Sequence, residues 1–348
     1  MALQFAETSP SELPQVRDFL LRTFAADPSL NSFRAEVLHW KYFSPRPDWN
    51  GSRSYVLRNG DDIVAHGGVW PIRFSGGGPE IKAIHLIDWA ASRASPGAGI
   101  QMLRKIAEMG DILITIGGSF DTRAILPKLG YKPGGELKRF VYVARPWKQM
   151  RTSRQHNWKT PLRLIRNAAS SLKRIPAPPP GWEVVNVSRF ENSLESMLEC
   201  PSSTTHLRAS RTAVGLNYML ECPGAEFSGF AVSDNKGWRG YFVLAKVGRQ
   251  SRIVDIQVDS KHPHEWGLVC RSAARMACQD PEVCEVIVGT SRAEIGESFK
   301  QIGFWERRVD SILYYDPKKR MDPGVQFEMS LLDSDASFFY DPQNPYIS

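Results

Sequence analysis

The sequence predicts an α/β (α+β) protein of two tandem domains, each with a mixed, mostly antiparallel sheet flanked by helices. Apolar runs bounded by glycine turns predict strands, and they alternate with stretches of helical spacing. The order of these elements in the first half recurs in the second after about 180 residues. The proline-rich IPAPPPGW at 175–182 separates the halves, because prolines interrupt helices and favour an extended spacer.

The length of 348 residues suits two domains of roughly 100–200 residues each. We expect a first domain at 1–146, a basic linker at 147–181, a second domain at 182–320 and a tail at 321–348. The sequence has neither a long uncharged apolar run nor a secretory leader, which predicts a cytoplasmic protein. All five cysteines lie in the second half without a C-x-x-C pair, which favours a reducing compartment over a disulfide framework.

The formal net charge of +7 is concentrated in one stretch. Between Leu137 and Trp182 there are eleven Lys or Arg residues and no acidic residue, so the remainder of the chain is net negative. We therefore expect no nucleic-acid partner. Within this stretch, TPLRLIRNAASSLKRI predicts an amphipathic helix. Either this helix packs on a domain as a linker, or residues 138–174 make peripheral contact with an anionic membrane at its inner face.

The first half is predicted to contain a helix, a three-stranded meander and two further helix–strand units. SPSELPQVRDFLLRTF has apolar residues at helical spacing. Strands are predicted at 54–58, 63–74 and 81–91, joined by glycine turns. After a further glycine turn come a helix, the buried strand DILITIGG, the helix TRAILPKLGY and the closing strand KRFVYVARP.

The second half predicts the same succession of helices and strands, although its residues differ from those of the first half. FSGFAVSDN, GWRGYFVLAKVG and SRIVDIQVDS predict three strands. A helix (WGLVCRSAARMACQ), a buried strand (CEVIVGTS), a helix (AEIGESFKQIGF) and a closing strand (VDSILYYD) follow. This weak internal repeat indicates two related domains.

The stretch SPGAGIQML connects the third strand to the next helix. A helix start leaves backbone N–H groups unpaired and carries the positive end of the dipole, so phosphates bind there. Gly97 and Gly99 allow the backbone to approach a phosphate without an intervening side chain. Their context after a strand and before a helix is the one that a pyrophosphate loop requires; a purely structural tight turn is the alternative.

This succession of elements over residues 3–145 resembles the GNAT acyltransferase superfamily, and SPGAGIQML is similar to its R/Q-x-x-G-x-G/A signature. A more degenerate copy covers about 182–318. The resemblance implies acetyl-CoA or another acyl-CoA as co-substrate, with the pyrophosphate on the glycine turn and the thioester along the preceding strand. The cofactor-binding residues that it implies are Leu86, Ile87, Trp89, Ala90, Gly97, Ala98, Gly99, Ile100 and Gln101.

The chain departs from the family pattern at defined positions. Ala94 stands where the family usually has Arg or Gln, and Leu126 stands where many members have a tyrosine that protonates the departing thiolate. The second copy has SKHPHEWGLV without G-x-G, and Phe299 at the tyrosine position. We therefore expect acyl-CoA binding of this kind in the first domain only, without assistance from that tyrosine.

The candidate catalytic residues are Asp88 and His85. Acyl transfer to an amine needs a neutral acceptor, so a base near the thioester is expected. Asp88 lies in the otherwise apolar HLIDWAA, where a carboxylate needs a partner or a function. A structural role for Asp88 is the alternative. His85 and His66 lie on the predicted strands and are the next candidates for the base.

Candidate acceptor-binding residues are Trp40, Tyr42 and His66. The first two come from LHWKYFSPRPDW, in the region where the resembled family often builds its acceptor cleft, and aromatic side chains suit a sugar-like surface. Core packing is the alternative for each. His262 and His264 form an H-x-H pair, but no nearby set of cysteines or carboxylates completes a metal site, so we expect no metal.

We therefore expect an acyl-CoA-dependent N-acyltransferase that acts on a small-molecule amine. The resemblance extends to acyltransferase-type proteins found with bacterial surface-polysaccharide genes, so amino sugars and surface-polysaccharide precursors are among the expected acceptors. One alternative is a non-catalytic acyl-CoA-binding or scaffold protein. Another is an aminoacyl-type transferase, which uses two such domains and takes a charged tRNA.

Overall fold

The predicted succession of helices and strands is present, with additional short elements. The structure is a computed structural model, and it describes residues 3–153, 160–171, 175–197, 205–259 and 265–348. The elements of the first half are β1 (Gln4–Glu7), α1 (Leu13–Phe24), α2 (Ala35–Tyr42), β2 (Ser54–Asn59), β3 (Asp62–Ser75), β4 (Ile81–Ala91), α3 (Ala98–Ala107), β5 (Ile112–Ile116), α4 (Phe120–Ile125) and β6 (Lys132–Val143).

The second half repeats this order after two connecting helices. Its elements are α5 (Pro146–Thr152), α6 (Thr160–Ser171), β7 (Glu183–Val187), β8 (His206–Ala209), α7 (Ala213–Leu220), β9 (Glu226–Asp234), β10 (Gly237–Val247), β11 (Gln250–Val258), α8 (Trp266–Ala277), β12 (Glu285–Thr290), α9 (Ala293–Gln301), β13 (Trp305–Tyr315) and β14 (Gln326–Glu328). The structure adds elements that were not predicted from the sequence, most of them short: β1, α2, α5, β7, β8, α7 and β14.

The strands of both halves form one continuous sheet. Among the described residues its order is β1-β2-β3-β4-β5-β13-β6-β12-β11-β10-β9-β7, with β8 joined to β3 and β14 joined to β8. The closing strand of each half has crossed to the other half: β13 pairs with β5, and β6 pairs with β12. Each half therefore needs a strand of the other to complete its sheet.

Strand β4 separates from β5 in the middle of the first half. The parallel pairing covers only Ala83–His85 of β4 with Ile112–Ile114 of β5. Beyond His85, β4 keeps its antiparallel partner β3 but has no pairing with β5. Alternate backbone groups of β4 from Leu86 onward therefore face a gap in the sheet.

The two faces of the sheet carry different apolar clusters. One face, which we call the inner face, carries Ile87, Ile114, Val141 and Val254, and it is covered by α2, α7 and residues 325–338. On the opposite face of the first half, α3 packs against Leu86 through its own apolar side. The alternation of side chains along each strand decides which residues face which layer.

The helix predicted in the basic linker is present as α6, and two residues of its predicted apolar stripe are exposed. Leu162 and Ile165 are 61% and 66% exposed, and Trp147 of α5 is 62% exposed. Asn167 points inward instead and donates to Gln149 of α5. Residues 154–159 and 172–174 of the basic stretch lie outside the described residues.

Candidate functional site

Asp88 lies on a β-bulge beside the gap between β4 and β5. The pairing of β3 with β4 shifts there: His66 pairs with Ala90, and Gly68 pairs with Ile87, so two residues of β4 face Gly67 alone. The backbone φ of Asp88 is +47°, which costs free energy in a non-glycine residue. Bulges redirect side chains and are common beside active sites. This bulge turns the Asp88 carboxylate toward α2.

Two side chains from the end of α2 hold the Asp88 carboxylate. Tyr42 donates its hydroxyl to Asp88 Oδ2 at 2.6 Å, and Lys41 Nζ lies 2.6 Å from the same oxygen. The Lys41 side chain is fully buried, and Asp335 of the C-terminal segment lies 3.8 Å from its ammonium group. Oδ1 of Asp88 has no hydrogen-bond partner among the described residues, so it is the oxygen that can take a proton.

The ionisation of this group is set by burial and by the buried ion pair. Burial raises the pKa of Asp88, but Lys41 and Tyr42 outweigh it and bring the pKa below its ordinary value. Burial lowers the pKa of Lys41, and the two carboxylates raise it above its ordinary value. Burial and the nearby Asp88 charge raise the pKa of Asp335. Asp88 is thus an anion paired with a cationic lysine at neutral pH.

The two histidines differ in what they contact. His66 is fully buried; Nδ1 contacts the Asp88 carbonyl at 2.9 Å, and Nε2 contacts Ser54 Oγ at 3.0 Å. His66 thus stabilises the bulge through its contact with the Asp88 backbone. His85 lies on the inner face, with Nδ1 3.2 Å from the Asp333 carbonyl. Burial lowers the pKa of His85 to about 4, so its ring is neutral at pH 7.

Of the acceptor-binding candidates, only Tyr42 contacts the Asp88 carboxylate. Trp40 is buried in the core, where its ring stacks on Tyr218 at a centroid distance of 4.6 Å. The buried residues Lys41 and Asp335 were not singled out from the sequence. Lys41 could have been noticed because it is a charged residue in the otherwise apolar stretch LHWKYF. No sequence pattern pointed to Asp335, which is far from Asp88 along the chain.

The glycine turn forms the N-terminus of α3 as predicted. Gly97 is the N-cap with φ +84°, and a Cβ at Gly97 would meet no atom within 4 Å. The N–H groups of Ala98 and Gln101 donate to the carbonyls of Ser95 and Gly97. Those of Gly99 and Ile100 have no intrahelical acceptor, because they lie in the first turn. The turn therefore presents an open, glycine-lined helix start.

Gly99 serves the packing of α3 on β4. A Cβ there would lie 3.2 Å from Ala91 Cβ, and Trp89 Nε1 donates to the Gly99 carbonyl at 3.0 Å. Leu126, the residue that the sequence resemblance sets at a tyrosine position, is fully buried in the core beneath α3. A packed apolar side chain therefore occupies this position.

A cavity of about 480 Å³ lies on the inner face beside the gap. β4 contributes the run from His85 to Asp88, and Ile116 at the end of β5 forms the adjoining wall. Further walls come from β6, β11 and β13, and residues between Ser334 and Ile347 of the C-terminal segment complete the lining. Its remaining lining residues include Arg139, Gln250, Arg252, Arg308, Ser334, Asp335, Phe339, Tyr340 and Tyr346.

The described residues hold no group of three or more His, Cys, Asp or Glu side chains that could bind a metal ion. The H-x-H pair His262 and His264 lies outside the described residues. None of the helices in the described part of the chain is long and apolar enough to cross a bilayer.

The fold and the glycine turn define a chain with the tandem GNAT fold, and the resemblance seen in the sequence is confirmed at the level of the fold. No protein-family model matches the sequence, and no curated protein matches it significantly. A tandem GNAT protein from the clavulanic acid biosynthesis pathway is similar over 90% of this chain and 98% of its own, with a TM-score of 0.58 and 13% identity.

Two further solved structures share this fold. The N-myristoyltransferase of Saccharomyces cerevisiae with bound myristoyl-CoA has a TM-score of 0.58 at 11% identity, over 90% of this chain and 82% of its own. A GCN5-related N-acetyltransferase from Anabaena variabilis has a TM-score of 0.57 at 13% identity, over 90% of this chain and 73% of its own. At these identities the likeness shows the fold alone.

Proposed function

We propose that this chain is an acyl-CoA-dependent N-acyltransferase that transfers an acyl group, with acetyl as the first expectation, to a small-molecule amine. The observation that carries the proposal is the gap between β4 and β5, which has the open N-terminus of α3 at one end and Asp88 at its side. A thioester threaded through the gap would reach the carboxylate while its phosphates contact the helix start.

The gap offers polar groups for such a ligand. Alternate N–H and C=O groups of β4 between Leu86 and Ala90 are not paired with β5 and suit the amides of a pantetheine arm. Thr115 Oγ1 is buried without a hydrogen-bond partner among the described residues. Leu113, two residues earlier on β5, packs beneath α3, so Thr115 faces the same side as the glycine turn. A buried hydroxyl without a partner is costly unless a ligand supplies one.

In the proposed reaction the amine nitrogen attacks the thioester carbonyl carbon, and the carbon–sulfur bond breaks. Asp88 takes the proton of the amine through Oδ1, directly or through one water. Backbone N–H groups at the bulge of β4 stabilise the oxyanion that develops on the carbonyl oxygen. With Leu126 in place of the tyrosine, the departing thiolate takes its proton from solvent. Because the lowered pKa makes Asp88 a modest base, positioning contributes most of the rate.

The acceptors that we propose to examine first are amino sugars and other surface-polysaccharide precursors. The aromatic and polar residues of the cavity, among them Tyr340, Tyr346 and Gln250, suit a hydroxylated ligand.

We propose further that the protein is cytoplasmic and contacts the inner face of an anionic membrane through the connecting helices. The observation in favour is the exposed apolar set Trp147, Leu162 and Ile165, which lies within the basic stretch. Exposed apolar side chains among cations are the composition that binds anionic lipid surfaces. Arg139 is not part of this surface, because it lies in the cavity.

The test of the acyltransferase proposal is thiol release. The full-length protein is incubated with acetyl-CoA or longer acyl-CoAs and a panel of amines, and free CoA is followed. We expect release that depends on both substrates and acylated amine in equal amount. Tight CoA binding without turnover for any amine would favour the binding or scaffold alternative. Absence of CoA binding, with transfer from charged tRNA, would favour the aminoacyl alternative.

A further inference from the structure

Three arginines, one from the first half of the chain and two from the second, line the same cavity as Asp88. They are Arg139 of β6, Arg252 of β11 and Arg308 of β13. Side-chain alternation places Arg139 on the inner face with Val141, and Arg252 on the same face with Val254. The strand exchange brings β13 and β6 next to β5, so these cations face the cavity into which the Asp88 bulge also opens.

The arginines have few anionic partners. Arg139 and Arg308 share one carboxylate, that of Asp310, at 2.9 and 2.7 Å. Within the described part of the chain, Arg252 donates to neutral oxygens, those of the Ala336 carbonyl and the Gln250 side chain. The Nε atoms of Arg139 and Arg252 are buried and have no hydrogen-bond partner among the described residues.

Arg252 is a buried cation whose hydrogen-bond partners among the described residues are neutral. Arg252 is 8% exposed. Burial, together with the neighbouring Arg139, lowers the pKa of Arg252 to about 9, far below the ordinary value of a guanidinium. A buried cation held by neutral partners is costly, and an incoming anion would offset that cost.

The acidic groups near the cavity are already engaged. Asp88 and Asp335 flank the Lys41 ammonium. Asp341 accepts from Gln343 N and Asn344 Nδ2 in its own turn. Glu285 accepts from Gln250 and from the backbone N–H groups of Ile347 and Ser348. Burial raises its pKa, which weakens Glu285 as a counter-ion.

We propose that the acceptor carries an anionic group, a carboxylate or a phosphate, in addition to its amine. The anion binds Arg252 together with Arg139 and Arg308, and the amine lies toward Asp88. This inference rests on the proposed acyltransferase function and names the acceptor class of that same site. The phosphates of CoA are not the anion in question, because the α3 N-terminus belongs to the helix layer on the other face of the sheet.

The test compares amines that differ only in the anion. The pairs are an α-amino acid with its decarboxylated amine, and glucosamine 6-phosphate with glucosamine, each assayed by CoA release from acetyl-CoA. We expect at least one anionic member to have a KM more than tenfold below that of its neutral partner. The pair that shows the difference identifies the anion as carboxylate or phosphate.

Arg252→Gln should raise the KM for the anionic acceptor at least tenfold and leave the KM for the neutral amine and the affinity for CoA within about twofold. The matched control is Arg249→Gln, three positions earlier, where a half-buried side chain pairs with Glu282 outside the cavity. Arg308→Gln changes a more exposed guanidinium and should also raise the KM for the anionic acceptor. It replaces Arg252→Gln in the test if that variant fails to fold. Equal loss for neutral and anionic amines would overturn the proposal.

Two further outcomes are informative. If Arg252→Gln changes the preference between acetyl-CoA and succinyl-CoA but not between acceptors, the arginines bind the acyl group and the inference is wrong. If no amine releases CoA, the acyltransferase function itself fails. Calorimetry with malonate and inorganic phosphate on the wild type and Arg252→Gln then shows independently whether the arginines form an anion site, and equal binding to both proteins would exclude it.

Discussion

Lys41 Nζ and Asp88 Oδ2 lie 2.6 Å apart in the interior of the protein, and this ion pair ties the end of α2 to the bulge of β4. From the sequence, Asp88 could be either a catalytic base or the structural partner of another group. The carboxylate has structural partners at Oδ2, and the residue also lines the cavity. The structural role and the proposed catalytic role can be separated by experiment, because the ion pair would affect stability whereas the proposed reaction would need the carboxylate itself.

Asp88→Asn should lower the acylation rate by roughly 10² to 10⁴ and also destabilise the fold. The destabilisation is expected because Lys41 loses its main counter-ion, a change that costs about 3–5 kcal/mol in buried pairs. Lys41→Met combined with Asp88→Asn removes the unpaired charge, so it should recover much of the thermal midpoint but not the rate. Steady-state rates and thermal midpoints of the two variants are the measurement. A double variant that regains normal turnover would exclude Asp88 as the base.

Gly97→Val should weaken CoA binding more than tenfold, or about 1.4 kcal/mol, because the new side chain would occupy the open space before the α3 N-terminus. Gly181→Val is the matched control: its φ is +87° and its surroundings are also open, so it carries the same backbone strain far from the turn. Calorimetric titration with CoA measures both. Equal affinities in the two folded variants would show that the turn does not bind the cofactor.

His85→Gln should reduce the loss of stability on acidification. With a pKa of about 4 in the folded chain against 6.5 in the unfolded one, His85 binds a proton first in the unfolded state. Its contribution to stability is therefore lost as the pH falls from 6.5 toward 4. Between pH 7 and pH 5 the contribution of His85 to the free energy of unfolding falls by about 2 kcal/mol. Glutamine does not titrate, so the variant should not lose this contribution. Urea unfolding at both pH values measures it, and identical losses in both proteins would contradict the buried, neutral histidine.

Binding to anionic vesicles should depend on the exposed apolar residues of α6 and fall steeply with salt. Each basic residue near such a surface contributes on the order of 1 kcal/mol. Leu162→Ser with Ile165→Ser should weaken the binding, whereas Val214→Ser, at an exposed valine of α7, should not. Vesicle co-sedimentation at two ionic strengths is the measurement. Equal partition into anionic and neutral vesicles, or into neither, would leave α6 as a linker.

The local parts of the site could be predicted from the sequence. The glycine turn between β4 and α3 depends on residues adjacent in the chain, and a carboxylate inside HLIDWAA stands out against its apolar neighbours. The amphipathic helix α6 was also predicted, with packing on a domain and contact with a membrane as alternatives. The exposure of Leu162 and Ile165 could not be predicted, because helical spacing defines an apolar stripe without saying what covers it.

The sequence by itself determined the order of helices and strands, the internal repeat, the glycine turn and the candidacy of Asp88, because each depends on neighbouring residues and on the period of apolar positions. Tertiary structure decided the exchange of β6 and β13, the pairing of Lys41 with Asp88 and the meeting of Arg139, Arg252 and Arg308 around one cavity. An alternating strand shows which side chains share a face but not which distant strand lies beside it. The partners of these buried charges therefore became visible only once the two halves shared one sheet.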